Sequence, residues 1–442
     1  MTGTVVDPAA MSARVAVWLF LSFAFAYFFS ALLRGVTATL ATSFSAELGL
    51  SAGDLGLLSG AFFFGFALTQ LPLGSALDRY GPRRVSIAFL LVAVLGCAAF
   101  GLARSFAGLT LARALIGIGV SASLMAPLTA FRHRYTPVMQ MRATSWILMT
   151  GSFGMVASTL PIQWLLPLIG WRGLFWVLAG ALAIAALAIA RCVPRDATAA
   201  EAAVLAPQPQ RGAGPMLRQG PGYREIFRHP TFQRFVPFGF IHYGGLIAVQ
   251  SLWAGPWLVE VSGLQPGAAA RGLFAINVSM LLAFLAWGLV VPRLYGRGWT
   301  AQSLIAWGAP LSIAALVFAL LLGPAATAWH WAFFCVASTF GALAQPAIGL
   351  AFAARLAGRA LSAYNLIVFA GVFVLQWGLG VAIDAFRRAG WDTVSAYRGA
   401  FALMAVCYVL SYLWFLWRDD RALPPILNSS PRTVDNPPPC PD

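Results

Sequence analysis

The chain has 442 residues, of which 60% are hydrophobic and only 10% charged, with a formal charge of +15. A water-soluble fold is about one quarter charged and cannot hide so much apolar side chain, which excludes an ordinary soluble enzyme or nucleic-acid-binding domain. All 29 basic residues are Arg and lie between apolar runs rather than on one face, the distribution of a membrane protein held by positive cytoplasmic loops.

A bilayer-crossing helix needs roughly 20 mostly apolar residues. In chain order such stretches fall near 15–40, 54–76, 85–103, 107–130, 143–168 and 173–191. They resume near 235–259, 272–292, 300–322, 329–354, 361–385 and 397–417. The first run is longer than the ~7–15 apolar residues of a secretory signal and is expected to be retained as a span. The expected fold is an all-α membrane protein, with twelve transmembrane helices arranged as two six-helix pseudo-repeats. Residues 1–191 would form the first half and 231–417 the second. Between them, 192–230 is rich in Pro, Gly and Arg and reads as a cytoplasmic linker, while 418–442 reads as a disordered cytoplasmic tail. With both termini in the cytoplasm, about 21 Arg fall inside and about 6 outside; the opposite orientation reverses that excess.

Neither a Walker A nor an HExxH pattern is present, and the chain is not expected to be an enzyme. Cys97, Cys192, Cys335, Cys407 and Cys440 stand singly without a CxxC pair, so neither metal nor redox cofactor is expected. With no ATP-binding domain, any transport would have to draw on gradients.

Between the second and third runs stands Gly74-Ser-Ala-Leu-Asp78-Arg79-Tyr-Gly81-Pro-Arg83-Arg84. Its spacing resembles the G-x-x-x-D-R-x-G-x-R-R signature of the major facilitator superfamily. Gly74 and Gly81 permit close helix contact and a tight turn. Asp78 can face the N-terminal end of the eleventh span, where free N–H groups carry partial positive charge. The resemblance implies that this loop is a cytoplasmic latch between the halves, broken on inward opening. Arg113-x-x-x-Gly117-x-Gly119 resembles the family's element in the fourth span, which implies a polar network or proton coupling around Arg113. Gly170-Trp-Arg-Gly-Leu-Phe resembles its connection into the sixth. Gly288–Gly298 occupies the place of a second signature, keeping Arg293 and Arg297 but with Pro292 in place of the acid.

Charges inside a bilayer are costly and mark functional positions. Tyr27-Phe-Phe-Ser-Ala-Leu-Leu-Arg34 resembles the first helix of the organophosphate/phosphate antiporters, where the matching Tyr and Arg meet an anion. A guanidinium fork suits a carboxylate or phosphate. The competing reading is an Arg that snorkels to a helix end ~10 Å away. The seventh span, around His242, Tyr243, Gln250 and Trp253, has no interior Arg, which favours a singly charged or zwitterionic organic solute over a sugar phosphate. No Asp or Glu stands mid-span, and Asp384 reads as a surface pair with Arg387. His242 could titrate near neutral pH or simply be packed. Gln70, Gln250, Asn277, Gln345, Asn365 and Gln376, with Trp146, Trp253, Trp257, Tyr364 and Trp377, could line an amphipathic cavity or act as interhelical glue.

The expected substrate-binding set is Tyr27, Arg34, His242, Gln250, Trp253 and Asn365. The expected function is secondary transport of a small organic anion or zwitterion across a bacterial inner membrane by alternating access. Its partners would be that solute, lipid, and a coupling proton or counter-substrate, with no nucleic acid and a monomeric state. Drug or metabolite efflux and a transporter-like ligand sensor are the alternatives.

Overall fold

The structure, a computed structural model, describes residues 13–194 and 223–418; the remainder of the expected linker (195–222) and tail (419–442) lies outside the described residues. Among the described residues every regular element is helical. The first half comprises α1 (Ala13–Leu48), α2 (Ala52–Leu68), α3 (Gln70–Leu102), α4 (Phe106–Val120), α5 (Ala122–Arg134), α6 (Pro137–Ala157) and α7 (Leu160–Cys192). The second comprises α8 (Tyr223–Arg228), α9 (Pro230–Val261), α10 (Pro266–Gly296), α11 (Ala301–Leu322), α12 (Ala328–Ala351), α13 (Ala354–Arg388) and α14 (Thr393–Trp417).

Ten helical stretches are long and apolar enough to cross a membrane, and Ala52–Leu68 is a shorter apolar helix. The helix boundaries around two of the twelve expected spans turn on two glycines. Gly81 (φ 77°) and Gly170 (φ 63°) interrupt α3 and α7 with backbone angles that side chains disfavour. Residues 70–80 therefore carry α2 onward to the turn at Gly81, and Pro82 opens the next helix, where its missing N–H costs nothing. Likewise 160–169 carry α6 onward to Gly170, and Trp171 starts the return. The stretch 54–76 is thus α2 plus the start of α3, and 143–168 is α6 plus the start of α7.

Large apolar side chains such as Leu168, Trp307 and Leu350 face outward and are more than 70% exposed, as a lipid-facing surface requires. Helix ends are capped locally: Ser51 and Asp54 form a reciprocal capping box on α2, and Thr136 caps α6. The short α8 lies at the close of the expected linker and buries Ile226 among Phe232, Phe352 and Leu356 of the second half.

The bundle has two ends. The terminal face carries the start of α1, the turn at Gly81, the end of α7 and the start of α9. The far face carries the α1–α2 connection, Gly170 and the α13–α14 connection. At the far face Trp171 and Arg172 both donate to Glu47, and the guanidinium of Arg172 stacks 4.0 Å from the Trp171 ring centroid, tying the end of α1 to α7.

Candidate functional site

A cavity of about 770 Å³ lies between the halves, walled by α1 and α6 on one side and α9, α10 and α12 on the other. Its lining reaches Leu289, one to two turns from the terminal-face end of α10, and Leu285 and Leu289 are 46% and 66% exposed while lining it. The cavity therefore opens at the terminal face.

Tyr27 and Arg34 reach it from α1, one below the other on the same helix face. Tyr27 lies flat against Gly151, where a Cβ would be 2.4 Å from the ring, so the glycine of α6 fixes the phenol. Arg34 is half-buried with its guanidinium carbon 5.8 Å from the Phe66 ring centroid. It makes no hydrogen bond or ion pair with any described residue, and its Nε is buried without an acceptor. The Tyr27 and Tyr243 hydroxyls likewise have no hydrogen-bond partner among the described residues. Tyr243 comes from α9, in the second half, within electrostatic reach of both Arg34 and Tyr27. One pole of the cavity is thus a set of unpaired donors drawn from both halves.

The amides of the cavity are neutral and partly paired with one another. Gln250 Nε2 donates to Asn277 Oδ1 at 3.0 Å, and Asn277 Nδ2 donates to the Leu273 carbonyl. Gln345 Nε2 donates to Asn365 Oδ1 at 3.1 Å. Ser145 and Ser152 also line it and donate to the Met141 and Leu148 carbonyls of their own helix, and the rest of the wall is mostly apolar, with Met149, Met155, Met280, Phe284 and Leu285. Among the described residues no Asp or Glu lines the cavity.

Of the residues expected at the site, Tyr27, Arg34 and Gln250 line this cavity, and Asn365 stands behind it through Gln345. His242 and Trp253 do not reach it. His242 is 1% exposed, clamped between Phe238 and Tyr408, with Nε2 at 3.1 Å from the Tyr408 carbonyl. Trp253 is fully buried and donates to the Gln376 carbonyl on α13. Trp257 is also fully buried, while Trp146 and Trp377 are exposed. Sequence reasoning passed over Tyr243 as a site residue. The backbone of α9 explains why: it contains π-helical turns at Gly239–Tyr243, Val249–Trp253 and Trp257–Val261, which rotate its faces away from a regular period of 3.6.

Arg113 is 1% exposed and donates through Nη2 to the Leu33 carbonyl (2.8 Å) and Thr37 Oγ1 (2.5 Å), on either side of Arg34. Its guanidinium also lies 4.9 Å from the Phe62 ring centroid. Gly117 and Gly119 let α4 meet two neighbours: a Cβ there would be 1.9 Å from the Phe62 carbonyl oxygen of α2 and 2.2 Å from the Ala93 nitrogen of α3.

Beyond Arg34 the halves close together toward the far face. Phe66 of α2 meets Phe369 of α13 at 4.4 Å between centroids. A Cβ on Gly255 would lie 2.5 Å from the Ala38 carbonyl oxygen, leaving a remnant space of about 10 Å³ beside Thr42 and Val259. At the rim, Asp384 of α13 accepts from the N–H groups of Ala52 (3.1 Å) and Gly53 (2.8 Å), the first residues of α2. Asp384 is therefore not the surface partner of Arg387. That arginine instead lies 3.9 Å from Glu260 and donates to Thr393 Oγ1, while Asp384 takes the two N–H groups, of Ala52 and Gly53, that the Ser51–Asp54 capping box leaves free.

The terminal-face loop is differently occupied. Asp78, Arg79 and Arg84 are exposed, and Asp78 makes no hydrogen bond or ion pair with a described residue. Arg79 stacks on Tyr80, and Arg83 donates to the Ala190 carbonyl at the end of α7, within its own half. Gly74 has open space around it.

The family model of the Major Facilitator Superfamily matches residues 23–376. The chain is 27% identical over 276 residues to the 3-(3-hydroxy-phenyl)propionate transporter of Escherichia coli, covering 60% of each protein. It is 26% identical over 228 residues to the probable sulfoacetate transporter SauU of Cupriavidus necator, covering 50% of this chain and 51% of that one. The matches thus span about half to three fifths of these curated relatives. Among solved structures, a bacterial homologue of the human lysosomal transporter Spinster, inward-facing and unoccupied, superposes with a TM-score of 0.73 at 20% identity, over 92% of this chain and 98% of that one. The D-xylose–proton symporter gives 0.67 at 16% identity, over 91% and 96%. With the matched model covering most of its length and the helical fold shared along nearly all of it, this multi-pass membrane protein belongs to the Major Facilitator Superfamily.

Proposed function

We propose that the protein is a secondary transporter of small organic anions that works by alternating access. Arg34 carries this reading: a half-buried guanidinium in a central cavity, without a protein counter-charge, leaves its charge and its N–H donors to a bound anion. Tyr27 and Tyr243 add hydroxyl donors from opposite halves, so a bound anion touches both and can bias how they close on each other. The relatives named for sulfoacetate and 3-(3-hydroxy-phenyl)propionate are consistent with an organic acid as cargo. The Arg excess at the terminal face supports a bacterial inner membrane protein of twelve spans with both termini in the cytoplasm. In that orientation the conformation is inward-open. We further place it as a monomer driven by a proton or counter-substrate gradient, with membrane lipid as its remaining partner.

The test is counterflow of a labelled organic-acid panel in proteoliposomes, with and without a pH gradient. Arg34→Ala is expected to lower exchange about tenfold to a hundredfold, from the loss of a charge-assisted bond, while the variant still inserts. Exchange at the unmutated rate would remove Arg34 from the site. Binding without flux would favour a sensor.

A further inference from the structure

The cavity is asymmetric in a way that selects among organic anions. Its only cation and two unpaired hydroxyls stand together at one pole, on Arg34, Tyr27 and Tyr243, among the described residues. Its amides are tied into uncharged Gln250–Asn277 and Gln345–Asn365 pairs, so each glutamine keeps a spare N–H but neither pair supplies a cation for a second negative charge. The wall between is built of Met149, Met155, Met280, Phe284 and Leu285, soft and apolar surfaces that fit a ring or an aliphatic chain. No carboxylate is present to pair with an ammonium.

Resting on the anion-site reading above, we propose that the substrate class is the monocarboxylate with an apolar body: a single carboxylate on Arg34 and the two phenols, and a hydrocarbon or aromatic body against the methionine and phenylalanine wall. Each excluded class meets a specific cost. A dicarboxylate sets its second charge against neutral amides, with no second cation to offset its desolvation. A zwitterionic amino acid leaves its ammonium without a counter-charge in a space shared with Arg34. A sugar acid sets most of its hydroxyls against thioethers and rings, with only the amide pairs and the Ser145 and Ser152 hydroxyls to meet them once the cavity closes around it.

Four probes that share size but differ in these features test the proposal: 3-phenylpropionate, phenylalanine, benzylmalonate and gluconate, titrated into the full chain in lipid nanodiscs by calorimetry. The expected order places 3-phenylpropionate first, with the other three weaker by about tenfold or more. Arg34→Gln should abolish its binding, and Arg34→Lys, which keeps the charge, should restore part of it. Tighter binding of benzylmalonate, phenylalanine or gluconate, lost in Arg34→Gln, would overturn the monocarboxylate proposal while leaving the anion site standing. Binding of 3-phenylpropionate that survives Arg34→Gln would overturn both.

Discussion

The two ends of the α2–α13 seam present the same chemistry in two states. At the far face an acid of one half, Asp384, accepts two N–H groups at the start of a helix of the other. At the terminal face the signature acid, Asp78, is exposed and without such a partner among the described residues. A carboxylate on a helix N-terminus contributes about 0.5–2 kcal/mol, small enough to be made and broken in a cycle and large enough to tilt it. We propose from this difference that the halves are locked on the side where the capping bond is made, and that the cavity opens where it is not. We regard the two acids as alternating locks on one pair of helices.

The largest expected effect comes from the backbone contact that lets the far end close. A Cβ on Gly380 would lie 2.2 Å from the Ala52 carbonyl oxygen, and one on Gly56 2.4 Å from that of Gln376. Gly380→Leu should hold the seam apart, at a cost of about 1–3 kcal/mol or more to the closed far face, and abolish counterflow. Normal exchange in that variant would show that the seam is not a gate.

Asp384→Ala should act in the same direction but more gently. Loss of about 1 kcal/mol from the closed far face shifts the balance about fivefold toward outward opening, read as faster alkylation of a cysteine placed at Thr42. An unchanged labelling rate would leave Asp384 as a cap with no part in gating.

The smallest effect on this conformation is expected at the other acid. Asp78→Asn removes no contact made with a described residue, so the melting temperature of the protein in this conformation should move by the equivalent of about 0.5 kcal/mol or less. Counterflow should nevertheless slow, since the terminal face must close in every cycle. A strongly destabilised protein would mean that Asp78 already has a partner here.

Much of this architecture is legible in the sequence because lipid makes its constraints local. Apolar run lengths fixed where spans fall, and Gly81 and Gly170 stand at the turns between them, since few residues other than glycine hold such angles. Arg34 and Tyr27 are legible for the same reason: a charge in a span needs a purpose, and a residue seven positions earlier shares its helix face. What is hidden depends on partners far along the chain. The Asp384 bond to Ala52 spans 332 positions and has no local signature. His242 and Tyr243 are neighbours with opposite fates, one packed against Tyr408 and the other in the cavity. The π-helical turns of α9 decide which is which, and no regular periodicity encodes them.

Alternating access means that the cavity is reached from one side at a time, and site-directed alkylation tests that directly. In a background without the five native cysteines, single cysteines replace Leu289, at the open mouth, and Thr42, at the closed far face. In vesicles of known orientation, an impermeant maleimide should label position 289 from the cytoplasmic side and leave position 42 protected. Turnover with substrate should raise labelling at 42 from outside as labelling at 289 falls. Labelling of both positions at once, unaffected by substrate, would describe a continuous pore and contradict alternating access.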